Sequence, residues 1–413
     1  MVFLYNLGIK LYNLLLFLSH FFNHKARLWV KGRENIFQVI ADRIDTGKQH
    51  VWFHFASLGE FEQGRPVLEE LKKANPHDSF IVTFFSPSGY ELRKNYTLAD
   101  HVFYLPLDTP GNASRFIDLV NPRLVVFTKY EYWYHYFREL AERNIPLYVI
   151  SATFRTNQVF FKWYGSLNRK TLSFVTHFFV QDEFSKDILR TIRISNVTVS
   201  GDTRFDRVAE NAASPKHFDD VRNFCAGSNT FVAGSSWPED EKLIAEIVKE
   251  YPSWKFIIAP HEIKPEKIKA LESLLPAGSS LKYSVVKGQI TQTRPSESRV
   301  LIIDNIGMLS ALYQYGSIAY IGGGFGVGIH NTLEAAAFGT PVIFGPNYHK
   351  FLEAKALIEK GGGFSISNIR ELKSLMQKLQ DEDCRKQAGK AAEEFVQNNK
   401  GATGTILRFL QNS

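Results

Sequence analysis

Short apolar segments rich in β-branched and aromatic residues recur along this chain. Each is bounded by Pro, Gly, Asn or Asp and followed by a stretch of helical periodicity. Val51 to Ala56, Ser79 to Phe85, Leu124 to Thr128, Leu147 to Ser151, His177 to Gln181 and Val197 to Gly201 read as strands. Helical patterns such as Glu62 to Ala74 and Ala113 to Val120 separate them. This alternation predicts a parallel sheet covered on both faces by helices. The polar stretch Arg207 to Asn229 interrupts it and reads as a linker. It restarts with Thr230 to Ala233, Lys255 to Ala259, Val300 to Asp304, Ile318 to Ile321 and Val342 to Phe344, and Asp381 to Gln411 reads as terminal helices. With 413 residues, the chain is too long for one ordinary domain. Two similar α/β domains are therefore expected, with ligands in the cleft between them.

A hydrophobic share of 44% and a charged share of 22% fit a folded globular protein. Two cysteines, Cys225 and Cys384, exclude a disulfide framework and suggest a reducing compartment. The formal charge of +7 favours acidic partners. Val2 to Phe22 is apolar and close to the ~20 residues a spanning helix needs. Asn6, Lys10, Asn13 and His20 form a polar stripe on it, opposite Leu4, Leu7, Leu11, Leu14, Leu18 and Phe22. A helix lying in the membrane interface, or spanning with its stripe against protein, is expected. No small-residue cleavage site follows, which argues against a removed signal peptide. His24, Lys25, Arg27, Lys31 and Arg33 form a basic cluster suited to anionic headgroups on the cytoplasmic side.

Chemistry-bearing residues sit at the predicted strand ends, where open α/β sheets place ligands. In HFASLGEFEQGRP, Glu60 falls where a strand turns into a helix. It is either a first-turn acid stabilised by the helix or a general base, and Glu62 competes for both roles. In TFFSPSG, Ser86, Ser88 and Gly89 offer hydroxyls and N–H groups to an anion, or simply cap a turn. TKYEYW carries Lys129, Glu131 and Trp133. In AGSSWPEDE, Ser235 and Ser236 precede a helix begun by Pro238, and His261 follows the next strand. The run GGGFGVGIHNTLEAAAFGTP starts at Gly322. It predicts a glycine turn that approaches a ligand, then a helix opening near His330–Asn331 with Glu334 one turn in, placed to accept from ribose hydroxyls. It matches neither the dinucleotide fingerprint nor a P-loop. The sequence contains no C-x-x-C, H-E-x-x-H or G-x-S-x-G. On the residues alone, these features describe a transferase with a nucleotide-bound donor.

Taken together, WVKGREN, HFASLGEFEQGRPVLEEL, VTFFSPSGYE, the long segment HVFYLPLDTPGNASRFIDLVNPRLVVFTKYEYW, VSGDTRFD and DNIGMLSALYQYGSIAYIGGGFGVGIHNTLEAAAFGTPVIFGP resemble the 3-deoxy-D-manno-octulosonic acid (Kdo) transferases of lipid A glycosylation. The resemblance covers nearly the whole chain. It implies a GT-B fold, two Rossmann-like domains facing across a central cleft, with an N-terminal membrane-associated helix. The corresponding boundaries are residues 1–24 for the helix, 25–208 for the acceptor domain, 209–228 for the linker, 229–390 for the donor domain and 391–413 for a C-terminal helix. It implies an inverting transfer of Kdo from CMP-Kdo to a lipid A precursor, lipid IVA. The enzyme is expected at the cytoplasmic face of the inner membrane, with an anionic membrane as partner, no nucleic acid, no cofactor and no metal.

The resemblance also distributes roles. Glu60 matches the general base of the family's SxGE motif. Ser88, Gly89 and Glu131 fall on the acceptor and transition-state side; the donor sugar's own carboxylate calls for a cation there, and Lys129 and Arg155 are the candidates. Ser235, Ser236, His261, Gly324, His330, Asn331 and Glu334 fall on the donor side. The chain departs from the family at several positions: Ala335 replaces a proline, Tyr134 replaces another, His261 stands without its arginine, and Thr153 occupies an arginine position close to Arg155. The competing expectation is another GT-B enzyme using a UDP-sugar, or a sugar-nucleotide epimerase.

Overall fold

The structure, a computed structural model, describes residues 1–288 and 298–411. Its contacts divide the chain into two units, Met1–Asp206 with Lys400–Ser413, and Arg207–Asn399.

The first unit contains β1 (His50–Phe55), β2 (Ser79–Phe84), β3 (His101–Tyr104), β4 (Pro122–Thr128), β5 (Leu147–Ala152), β6 (His177–Val180) and β7 (Val197–Val199). They pair in the order β3-β2-β1-β4-β5-β6-β7, and every pairing is parallel. All six residues of β1 are buried, as expected of a central parallel strand covered on both faces. The two faces carry separate apolar clusters, one around Trp52, Phe116, Phe127 and Tyr136, the other around Phe53, Phe55, Phe61 and Leu68. β3, HVFY, is short and was not singled out as a strand by its sequence pattern.

The second unit contains β8 (Thr230–Ser236), β9 (Lys255–Pro260), β10 (Ser280–Lys282), β11 (Val300–Ile302), β12 (Ile318–Ile321), β13 (Val342–Phe344) and β14 (Gly363–Ser365). Their order is β10-β11-β9-β8-β12-β13-β14, again all parallel. Three-residue edge strands such as β10 and β14 carry too little periodicity to be recognised in the sequence.

Three expectations change on inspection. The stretch read as an irregular linker holds helices, Thr203–Ala213 and Asp219–Cys225. Its polar residues are helix surface: Val221 and Phe224 are buried and Arg222 pairs with Asp219. The terminal helices divide at residues 400–401 and not at the expected boundary of 391. Glu382–Asn399 stays in the second unit, while Ala402–Gln411 returns to the first. There Ile406 and Leu410 pack with Val67, Leu68 and Leu71, and the Asp206 carboxylate accepts from Thr403 N–H at 2.7 Å.

The N-terminal helix spans Val2–Ser19, and only Ile9 on it is buried. Phe3, Leu4, Leu7, Leu11, Leu14, Leu15, Phe17 and Leu18 are exposed. Of the expected polar stripe, Asn6 docks while Lys10 and Asn13 are exposed. Tyr5, Ile9 and Tyr12 make the contact together with Asn6, on one face of the helix. A tyrosine brings a ring and a hydroxyl to the interface, whereas a lysine would have to be desolvated there.

Candidate functional site

In an open α/β sheet the crevice lies at the carboxyl ends of the strands where the strand order reverses. In the first unit that point lies between β1 and β4, and in the second between β8 and β12. Ser235–Ser236 end β8, and the segments that follow β1, β4 and β12 carry Glu60, Glu131 and the glycine run.

Glu60 sits in the first turn of the Leu58–Ala74 helix, partly exposed, and its carboxylate accepts from the Ser57 hydroxyl in a short contact. Helix N–H groups favour the anion at this position. Glu62 is separated from it by its partners: Arg65 at 3.5 Å and Arg93 at 2.8 Å neutralise Glu62. Of the two competing acids, Glu62 is held in ion pairs.

Behind Glu60, a chain of hydrogen bonds runs across the sheet. Trp52 Nε1–H donates to Thr83 Oγ1 at 2.7 Å, and Thr83 Oγ1 lies 2.8 Å from His54 Nδ1. His54 Nε2 lies 3.3 Å from Glu131 Oε2, which also accepts from Trp133 Nε1–H at 2.7 Å. His54 is fully buried, and burial holds its pKa below the usual histidine value, so the ring is neutral at pH 7. The network then assigns the tautomer. The Glu131 carboxylate can only accept, so the ring proton is on Nε2 facing it, and Nδ1 accepts from the Thr83 hydroxyl, which also lies 3.4 Å from Phe53 O. Glu131 is thus a carboxylate oriented by two N–H donors.

Around this pair, Lys129 is in the left-handed region at φ 68°, a conformation that non-glycine residues keep only when their surroundings enforce it. Its N–H donates to Ile150 O at 3.0 Å, and its ammonium lies 5.3 Å from the Tyr130 ring centre. Tyr130 bonds Thr153 at 2.5 Å across the ends of β4 and β5. Arg155 is exposed, with its N–H donating to the Gln158 side chain. Ser88 is exposed and shares a 2.9 Å contact with Ser86, which caps the Pro87–Arg93 helix. Gly89 is buried against Phe84; a Cβ there would sit 2.3 Å from that ring. The turn is capped and packed, with Ser88 as its outward group.

Arg33, expected in the surface basic cluster, is instead half-buried. Its guanidinium donates to Leu105 O, Trp29 O and Phe85 O, and lies 3.9 Å from the Trp29 ring centre. Burial lowers its pKa to about 9, so it remains cationic at neutral pH. It ties the ends of β2 and β3 together, while His24, Lys25, Arg27 and Lys31 remain on the surface.

In the second unit, Ser235 is left-handed at φ 53° and Ser236 donates to Glu241 at 3.1 Å. Gly322 packs on this turn, and a Cβ there would meet Ser235 O at 2.2 Å. Gly324 meets the Gly345 backbone in the same way, at 2.5 Å. These two glycines therefore permit backbone-to-backbone packing. The N–H groups of Gly322, Gly323, Gly326, Gly328 and His330 are also spent on protein acceptors. The helix after the run begins at Leu333 and has one turn, later and shorter than expected. Asn331 reaches back over it, accepting from Leu333 N–H at 3.1 Å and donating to Glu334 at 3.2 Å. That places Glu334 in the first turn, with one oxygen already engaged.

His330, His261 and Trp237 form one ring cluster. Trp237 stacks on His261 with centroids 4.5 Å apart, His261 lies 4.7 Å from His330, and Trp237 Nε1–H donates to His330 Nε2 at 3.1 Å. Burial, then the His261 charge, pushes His330 down to about 4, leaving it a neutral acceptor. Asp240 holds the cluster's two loops together. Its carboxylate accepts from Trp237 N–H, Gly323 N–H and the Tyr320 hydroxyl. Asp240, Trp237, His54 and Thr83 were not among the candidates from sequence. Asp240 had a signal, an acid three residues into a helix start. His54 had none, since its partner lies 77 positions away. Among the described residues, no group of three or more His, Cys, Asp or Glu could hold a metal ion.

A family model of 3-deoxy-D-manno-octulosonic-acid transferase (kdotransferase) matches residues 31–207. A protein of that name from Haemophilus influenzae is 26% identical over 379 residues, covering 88% of this chain and 87% of its own. One from Aquifex aeolicus is 29% identical over 354 residues, covering 80% and 86%. Among solved structures, UDP-GlcNAc 2-epimerase from Neisseria meningitidis superposes with a TM-score of 0.62 at 17% identity, covering 88% of this chain and all (100%) of that one. MurG from Acinetobacter baumannii does so with 0.54 at 13%, covering 89% and 100%. At these identities the structural likeness speaks for the fold alone.

Proposed function

We propose, from the premise that this chain belongs to the Kdo transferase family and is a glycosyltransferase of the GT-B fold, that it transfers Kdo from CMP-Kdo to a lipid A precursor. The observation that carries the reading is the family match over residues 31–207, within which Glu60 stands at the carboxyl end of β1.

Glu60 takes the proton of the acceptor hydroxyl as its oxygen bonds to the anomeric carbon, an effect worth ~10²–10⁴-fold. The bond to CMP breaks with its electron pair leaving on the phosphate, and attack from the opposite side inverts the centre. Glu131, oriented by His54 and Trp133, positions the acceptor and steadies the positive character that develops at the sugar. Lys129 or Arg155 faces the sugar carboxylate. On the donor unit, Ser235, Asn331 and the Trp237–His261–His330 rings hold CMP. The chemistry runs without a metal. The enzyme works on an anionic membrane, at the cytoplasmic face of the inner membrane, a reading supported by the exposed leucines and phenylalanines of the N-terminal helix and the basic surface beside them.

The test is Glu60→Ala. Transfer of Kdo to lipid, followed by product mass, is lost, while CMP still raises the melting temperature. A folded Glu60→Ala protein with wild-type turnover overturns the assignment. Stronger stabilisation by UDP than by CMP overturns the donor, and loss of activity in EDTA overturns the metal-free reading.

A further inference from the structure

The exposed leucines account for one side of the N-terminal helix. Its other side reaches the residues that orient Glu131. Tyr12 stacks on Phe85, with centroids 6.2 Å apart and planes 22° apart, and Phe85 packs on Trp133 at 4.9 Å. Trp133 is one of the two donors to Glu131. Phe85 is half-buried beneath the Tyr12 ring, which is itself 39% exposed. About two turns earlier, Tyr5 donates its hydroxyl to Asp108 at 2.5 Å, and Asn6 Oδ1 lies 2.6 Å from His135 Nε2. Asp108 is buried and also accepts from the N–H groups of His135 and Tyr136, both at 3.0 Å. It thereby pins the start of the Tyr134–Glu142 helix, directly after Trp133.

We propose that the N-terminal helix is a positioning element of the acceptor site: Tyr12 through Phe85 and Trp133, and Tyr5 with Asn6 through Asp108 and His135, set the orientation of Glu131. The inference rests on Glu131 belonging to the site, as read above. The segment from Glu131 to His135 is then held at two points by a helix whose other face is apolar and open to a lipid surface. Turnover therefore depends on docking of this helix, beyond its service as an anchor.

The full chain is assayed in detergent micelles with CMP-Kdo and lipid acceptor, so that attachment to a membrane does not limit the rate. Tyr12→Ala and Asn6→Ala are expected to lower kcat by ~10-fold or more, the scale of a small misplacement of a catalytic group. The KM for CMP-Kdo and the melting temperature are expected to stay near wild type. Tyr12→Phe, which keeps the ring, restores kcat. Combining Tyr12→Ala with Glu131→Gln gives no further loss if the helix acts through Glu131, whereas a merely structural role gives additive losses. Wild-type kcat in Glu131→Gln overturns the site reading itself. Loss in Glu131→Gln with wild-type kcat in both helix variants, or additive losses, overturns the positioning inference alone.

Discussion

Replacing Thr83 by valine keeps the shape of a fully buried side chain and removes only its hydroxyl. That hydroxyl accepts from Trp52 Nε1–H at 2.7 Å and donates to His54 Nδ1 at 2.8 Å. Valine is isosteric, so no cavity term arises. The loss comes from two buried polar atoms left without partners, each costing ~1–3 kcal/mol. A destabilisation of about 3 kcal/mol is expected, large for a single substitution. The second consequence is chemical. Without the donor at Nδ1, the His54 proton is free to move to that nitrogen, and Glu131 then loses one of its two N–H donors. Turnover is expected to fall ~10-fold or more through misorientation of the carboxylate. Urea denaturation followed by tryptophan fluorescence measures the first effect, and Kdo transfer in detergent measures the second. Thr83→Ser, which keeps the hydroxyl, is expected to recover most of both. A Thr83→Val protein that loses less than ~1 kcal/mol and keeps its kcat refutes the proton assignment.

Burial lifts the Glu241 carboxyl from its ordinary 4.5 to about 7. The folded form holds that proton more tightly than the unfolded chain, so stability falls as pH rises from 4.5 to 7 and the penalty is complete above that. Glu241→Gln is therefore expected to be more stable than wild type at pH ~8, by on the order of 3 kcal/mol, and equal to it near pH 4.5. Thermal melts at the two pH values decide it, and a pH-independent difference sinks it. Gly322→Ala drives a methyl into the Ser235 carbonyl, at 2.2 Å. It is expected to cost ~1–3 kcal/mol and to weaken stabilisation by CMP. Gly326→Ala, whose nearest neighbour is 3.9 Å away, is expected to do neither.

The two-sheet architecture was legible in the chain because parallel strands buried on both faces read as near-continuous apolar runs, as HVWFHF and SFIVTF largely do. The placement of Glu60 and Glu131 followed from the same logic, since both lie just past the ends of strands. What the sequence could not determine was which polar groups meet. His54 reads as one more residue of an apolar strand until β2 and β4 flank β1 and bring Thr83 and Glu131 to its two nitrogens. Arg33 reads as a surface charge until three carbonyls from separate segments close on it. The need for glycine at 322 and 324 shows only when the end of β8 and the residue after β13 press backbone against them. Periodicity is local and records which side of an element is buried. A hydrogen-bond partner, or the room for a Cβ, depends on atoms far along the chain, and only the packed sheet brings these within 3 Å or so of one another.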